Sequence, residues 1–167
     1  MPSLSKLVQT PLSMTQVKEH LPDIPVILYS KFAQLKTLPP ACVYLFLTNQ
    51  NYGHFCAVFN RGNVVELFDS YGIKPEAEHN FVKIGLLEHL HERDDLILNM
   101  AKKNGWSVSY NHTQLQSWNP KVETCGRHCV SRVLKQSMDI DEYVQWLQGV
   151  AKKANVSNDI LVSYLVQ

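Results

Sequence analysis

No uninterrupted apolar span in these 167 residues is long enough to cross a bilayer, and the N-terminal stretch around Lys6 has no continuous apolar h-region. A membrane-spanning protein and export by a signal peptide are therefore not expected, and the chain reads as soluble and intracellular. Charge of one sign is missing too: 16 Lys plus Arg against 15 Asp plus Glu leave a net charge of +1. Lys102-Lys103 and Lys152-Lys153 are isolated pairs rather than basic stripes, so there is no electrostatic footprint for nucleic acid. Cysteine is scarce: Cys42, Cys56, Cys125 and Cys129 do not form a disulfide framework, and Cys42 and Cys56 lie in apolar runs where a free thiol acts as a small hydrophobe. That usage fits a reducing compartment. Asn111-His112-Thr113 and Asn155-Val156-Ser157 match a glycosylation acceptor, but that chemistry requires secretion. Linkers, repeats and low-complexity stretches are also missing, so residues 1–167 are expected to share one core.

What is present is patterned. Ser13-Met14-Thr15-Gln16 has the form of a capping box and predicts a short helix to about His20, ended by Pro22 and Pro25. Ala41 to Leu47 and His54 to Phe59 are rich in β-branched and aromatic residues, and Val64 to Phe68 follows across Arg61-Gly62-Asn63, which predicts three strands with the last two as a hairpin. Phe81, Ile84, Leu87 and Leu90 recur at helical spacing between Pro75 and about Glu92, while Trp106, Val108 and Tyr110 alternate as a strand. Cys125, Cys129, Val130, Val133 and Leu134 share one helical face. Tyr143, Trp146 and Leu147 follow, then Ile160, Leu161, Tyr164 and Leu165 after Ser157. Strands first and helices last predict an α+β domain: a central, mostly antiparallel sheet with helices packed on one side.

Four residues carry chemistry in an ordered set. Cys125, between a polar loop and Gly126, is the candidate nucleophile, because a helix N-terminus favours thiolate over thiol. A buried packing role is the bland alternative, and it suits Cys129, one turn deeper on the apolar face, better. His54 opens a strand after Gly53, and Asp69 ends the paired strand 15 residues on, so a hairpin can set carboxylate beside imidazole. His20, His79, His89 and His91 read as surface positions, and His112 lies in a loop. Asp69 could equally be only a turn residue before Ser70-Tyr71-Gly72.

The segments Gly53-His54-Phe55, Phe68-Asp69-Ser70-Tyr71-Gly72, and Gln116 followed by Thr124-Cys125-Gly126-Arg127-His128-Cys129 resemble the adenain and Ulp1-like clan of cysteine proteases. The likeness covers roughly Cys42 to Leu134. It implies that clan's fold, with the nucleophile at the N-terminus of a core helix, a Cys125-His54-Asp69 triad, and Gln116 as oxyanion donor. Two departures stand out: Gln116 lies nine residues before Cys125, farther than in many members, and Thr124 stands where an acidic residue is common. Gln114 is a rival on the same strand face. Phe55 and Trp118 are candidate walls of a substrate channel that Gly126 leaves open to a substrate backbone. A zinc site from Cys125, His128 and Cys129 is disfavoured, because three ligands in about one helical turn diverge and no second Cys/His pair completes a tetrahedron.

The expectation is thus a monomeric cysteine endopeptidase that needs no metal or cofactor. Its substrate would be a polypeptide, a capsid or other structural precursor cut during virion maturation, in the host cytoplasm or nucleus or inside the virion. The alternatives are a SUMO- or NEDD8-type deconjugating isopeptidase and a catalytically inactive binding module on the same fold.

Overall fold

The computed structural model describes residues 3–92 and 94–167. In chain order the elements are α1 (Leu4–Val8), α2 (Met14–His20), β1 (Val26–Leu28), a 3-10 turn (Tyr29–Gln34), β2 (Ala41–Asn49), β3 (Tyr52–Asn60), β4 (Val64–Phe68), a 3-10 turn (Ala77–Phe81), α3 (Ile84–His89), α4 (Leu96–Asn104), β5 (Ser107–Tyr110), α5 (Cys125–Leu134), α6 (Ile140–Ala154) and α7 (Asn158–Leu165). The capping box forms at Ser13, whose side chain accepts from Gln16 N while the Gln16 side chain accepts from Ser13 N. The protein is α+β, with a five-stranded sheet in the order β1-β2-β3-β4-β5. No helix among the described residues is long and apolar enough to cross a membrane.

The sheet is mixed rather than mostly antiparallel. β2-β3 and β3-β4 are the expected antiparallel pairs, but β1 joins β2 and β5 joins β4 in parallel. Nor are the helices confined to one side, because alternation along the central strands builds a core on each face. Val43, Phe55, Ala57, Phe59 and Phe68 pack with Cys129, Val130, Val133, Tyr143, Leu147 and Leu161 of the C-terminal helices. Cys42, Tyr44, Phe46, Cys56, Val58, Val65 and Leu67 pack instead with Tyr29, Phe32, Leu87, Ile97 and Ala101.

The single helix expected from Pro75 to Glu92 is also broken. Glu76 takes a left-handed backbone conformation, Ala77–Phe81 form only a 3-10 turn, and Val82 is extended. The cause is a non-local bond set: the buried Glu76 carboxylate accepts from the Tyr29 hydroxyl and from Ile97 N and Leu98 N, capping the first turn of α4. Leu87 alone of the proposed apolar face is fully buried, while Phe81 and Ile84 are exposed. Leu134, Tyr164 and Leu165 likewise face outward. His79, read as a surface residue, bonds Asp95 and packs edge-on against Tyr29.

Candidate active site

The β2-β3-β4 ladder brings the imidazole to the carboxylate. Ala57 pairs with Phe68, so the next position in register sets Cys56 opposite Asp69 and makes His54 a diagonal neighbour on the same face. His54 Nε2 lies 3.0 Å from Asp69 Oδ1. Gly53, the residue before, lets β3 lie close against β2, since a Cβ there would fall 2.1 Å from the Phe46 carbonyl oxygen. Asp69 is itself pinned: Oδ1 also accepts from Tyr71 N at 2.8 Å, and its backbone N-H and C=O are both bound by the Asn111 side chain. Asn111, buried in this role, is no glycosylation acceptor.

Cys125 opens α5 and is 7% exposed. With Nε2 held by Asp69, Nδ1 is the ring nitrogen left for the thiol. Burial opposes a charge on His54, but the Asp69 carboxylate beside it, and then Cys125 through a hydrogen bond and its charge, raise the imidazole well above its ordinary value. Burial likewise disfavours ionised Asp69, yet the His54 charge and hydrogen bond prevail and hold its carboxyl below the usual range. A thiol, an imidazole and a carboxylate are thus brought together, the groups that a cysteine acyl-transfer site would need.

Beneath the pair lies a second acid. The Cys56 thiol points to Asp69 Oδ2 at 3.5 Å and to Glu78 Oε1 at 3.1 Å. Burial, and then the charge of Asp69, push the Glu78 carboxyl up to about 8. Donor atoms of His54, Cys56 and Asp69 lie within 4.8 Å of one another, a spacing that a metal ion could use. Two of the three are already bonded to each other, however, and burial keeps the Cys56 thiol protonated, since it titrates well above its ordinary value. Cys125, His128 and Cys129 form no such cluster among the described residues: the His128 ring is turned to Asp159, at 3.1 Å.

Gln116 is buried and Gln114 is exposed, donating to the Gln116 carbonyl at 2.9 Å. Ser70 holds the Gln116 loop, its backbone carbonyl accepting from Leu115 N and Gln116 N and its hydroxyl donating to Gln116 Oε1 at 2.6 Å. The Gln116 amide donates to Tyr71 Oη at 3.2 Å and to the Val122 carbonyl at 3.1 Å. Both of its protons are engaged, so stabilising an oxyanion requires one of these bonds to open.

Phe55 is buried against α5, 3.2 Å from where a Cβ on Gly126 would stand. With Gly53, Leu12, Leu45 and Cys125 it lines a largely apolar cavity of about 470 Å³. Trp118 is 54% exposed and lies flat on Tyr71, with centroids 4.0 Å apart, and Tyr71 stacks on His54 at 4.9 Å.

No family profile matches this chain. It is similar to the uncharacterized protein V9 of Sputnik virophage, at 29% identity over 147 residues, 84% of each chain.

Several residues that shape the site carry no local signal. Asp159 on α7 accepts from Thr124 Oγ1 at 2.5 Å, from Ser117 N at 3.0 Å and pairs with His128, tying the residue before Cys125 and the Gln116 loop to the C-terminal helix. Tyr52 at the β2-β3 turn donates its hydroxyl to Glu123, two residues before Cys125. Ser70, Tyr71, Thr124 and His128, by contrast, stood within the motifs visible beforehand.

Proposed function

We propose that this chain is a cysteine endopeptidase with the adenain and Ulp1-like fold, hydrolysing peptide bonds in viral structural precursors during virion maturation. The observation that carries the reading is the pairing of His54 with Asp69 at 3.0 Å, with Cys125 opening a buried helix where it interacts with the same ring. The similarity to a virophage protein supports a viral setting, in the host cytoplasm or nucleus or within the particle.

The chemistry follows from the placement. His54 Nδ1 takes the Cys125 proton, and the sulfur attacks the scissile carbonyl to form a tetrahedral intermediate. Its oxyanion would be met by the Cys125 backbone N-H and, after release of one existing bond, by the Gln116 amide. Collapse breaks the C-N bond, the amine leaves with the proton from His54, and a thioester remains. Water, deprotonated by His54, then cleaves the thioester and returns the thiol. Asp69 holds the ring in the tautomer that this sequence needs.

Incubation of the protein with capsid precursors, with SUMO fusions and with a peptide library, beside a Cys125→Ala control, tests the reading. Cleavage of precursors or peptides that disappears in the control is expected. Cleavage of SUMO fusions alone would move the function to a deconjugating isopeptidase. An inert Cys125 with no cleavage of any kind would leave a binding module.

A further inference from the structure

Two cavities flank the candidate triad, and they divide its residues. The cavity of about 470 Å³ borders Cys125, Gly53 and Phe55 but not His54. A second, of about 190 Å³, borders His54, Tyr71, Ile73, Phe81, Trp118 and Thr48 but not Cys125. The walls of the second present only apolar surface, although Glu78 also contributes to them. Sites for drug-sized molecules run to ~300–1,000 Å³, so the smaller pocket has the size for one side chain. Two of its aromatics are held out to solvent: Phe81 is 69% exposed and Trp118 54%. Trp118 is not loose, because it stacks on Tyr71 with a 4° interplanar angle. A rigid aromatic wall open on one side is a surface suited to an incoming apolar group.

Acyl transfer assigns the two cavities to opposite halves of a substrate. The acyl half becomes bonded to Cys125, so it lies in the cavity that borders the sulfur. When the C-N bond breaks, the electron pair stays on nitrogen, which takes its proton from His54, so the amine half leaves past the imidazole. We infer that the pocket beside His54 is the leaving-group subsite, and that it selects a bulky apolar side chain within the first two residues after the scissile bond. This assignment rests on the endopeptidase reading and adds a specificity to it that the Cys125 side does not determine.

The test is digestion of a proteome-derived peptide library by the wild-type protein, Phe81→Ala, Trp118→Ala and Phe81→Leu, with both sides of every cut read by mass spectrometry. Values of kcat/KM would then be measured on matched peptides bearing Leu or Gly after the cut. Enrichment of Phe, Leu, Ile or Met at the first or second position after the cut is expected, with a Leu-to-Gly ratio of at least tenfold. Phe81→Ala and Trp118→Ala should bring that ratio toward one, and Phe81→Leu should restore part of it. Phe81 is a largely exposed side chain, and thermal melting checks that its variants fold. Cleavage with no preference after the cut, a ratio unchanged in both alanine variants, or cuts confined to lysine isopeptide bonds would overturn the assignment while leaving the hydrolase intact. Absence of any cleavage together with a Cys125 inert to iodoacetamide would overturn both.

Discussion

Replacing Asp69 by Asn removes a charge while keeping almost every contact. Asp69 Oδ1 accepts from both His54 Nε2, at 3.0 Å, and Tyr71 N, at 2.8 Å. An Asn amide must therefore keep its oxygen on that side, since an NH2 turned there would face the Tyr71 N-H. Its NH2 would fall toward Cys56 and Glu78, where the Glu78 carboxyl can accept. His54 keeps its orientation and tautomer and loses only the charge assistance. A hydrogen bond to a charged group contributes about 1.5–3 kcal/mol against about 0.5–1.5 for a neutral one, so the loss is about 1–2 kcal/mol, or roughly 5- to 30-fold in rate. That is far below the ~10⁴-fold cost in the serine triad, where the tautomer is lost. The assay is the pH dependence of iodoacetamide alkylation, with mass mapping of all four cysteines, run beside kcat/KM. Cys125 should react first in the wild type, because Cys42, Cys56 and Cys129 are buried with thiols pushed upward by burial. In Asp69→Asn the imidazolium loses the charge that raises it, so Cys125 labelling should slow near pH ~7 and the upper edge of the ion-pair window should move to lower pH. Wild-type alkylation and turnover in the variant would refute the reasoning, and a loss beyond ~10³-fold would show that the amide had turned round.

Gln116→Ala should lower kcat by roughly 10²- to 10³-fold with KM little changed if its amide serves the oxyanion. Gln114→Ala should be mild, and the reverse ranking in steady-state kinetics would move the role. Glu78→Gln probes the buried acid: its folded value of about 8 exceeds an unfolded value near ~4.3, so the native state holds the extra proton and stability falls as pH rises between the two. Urea unfolding at pH ~5 and ~8 should show a smaller drop in the variant, and an equal drop would show Glu78 ionised in the native protein. Arg132→Met strands Glu66, whose Oε1 accepts from Arg132 at 2.5 Å while Arg61 holds Oε2 at 3.0 Å. A broken buried pair costs ~3–5 kcal/mol; with Arg61 remaining, a loss near the lower end is expected in the urea midpoint, and a neutral result would refute the dependence.

Local chemistry made part of this protein legible. The Ser13 capping box, the β3-β4 hairpin and the apolar face from Cys125 to Val133 depend on residues within a few positions of one another, and they stand where the pattern placed them, with Leu134 alone of that face turned outward. The closeness of His54 to Asp69 follows from that same hairpin register. Other parts were invisible because their partners are distant. Nothing near Glu76 announces that its carboxylate will cap α4, and without that bond set the stretch from Pro75 to Glu92 has every periodic mark of one helix. The parallel strand β1 has only three residues and finds its partner 17 positions on. Nothing local announces that Arg127, His128 and Arg132 on α5 are buried, where they bond the Thr10 and Val166 carbonyls, Asp159 and Glu66 respectively. The sequence by itself therefore determined the α+β class, the central strands and the four residues worth testing. Only the tertiary structure decided that both sheet faces are covered, that Gln116 is buried against Ser70 and Tyr71 while Gln114 is exposed, and that Trp118 and Phe81 wall a pocket. The physical reason is that caps, turns and alternation are satisfied within one element, whereas a buried charge or an exposed ring takes its meaning from whatever distant segment the fold brings against it.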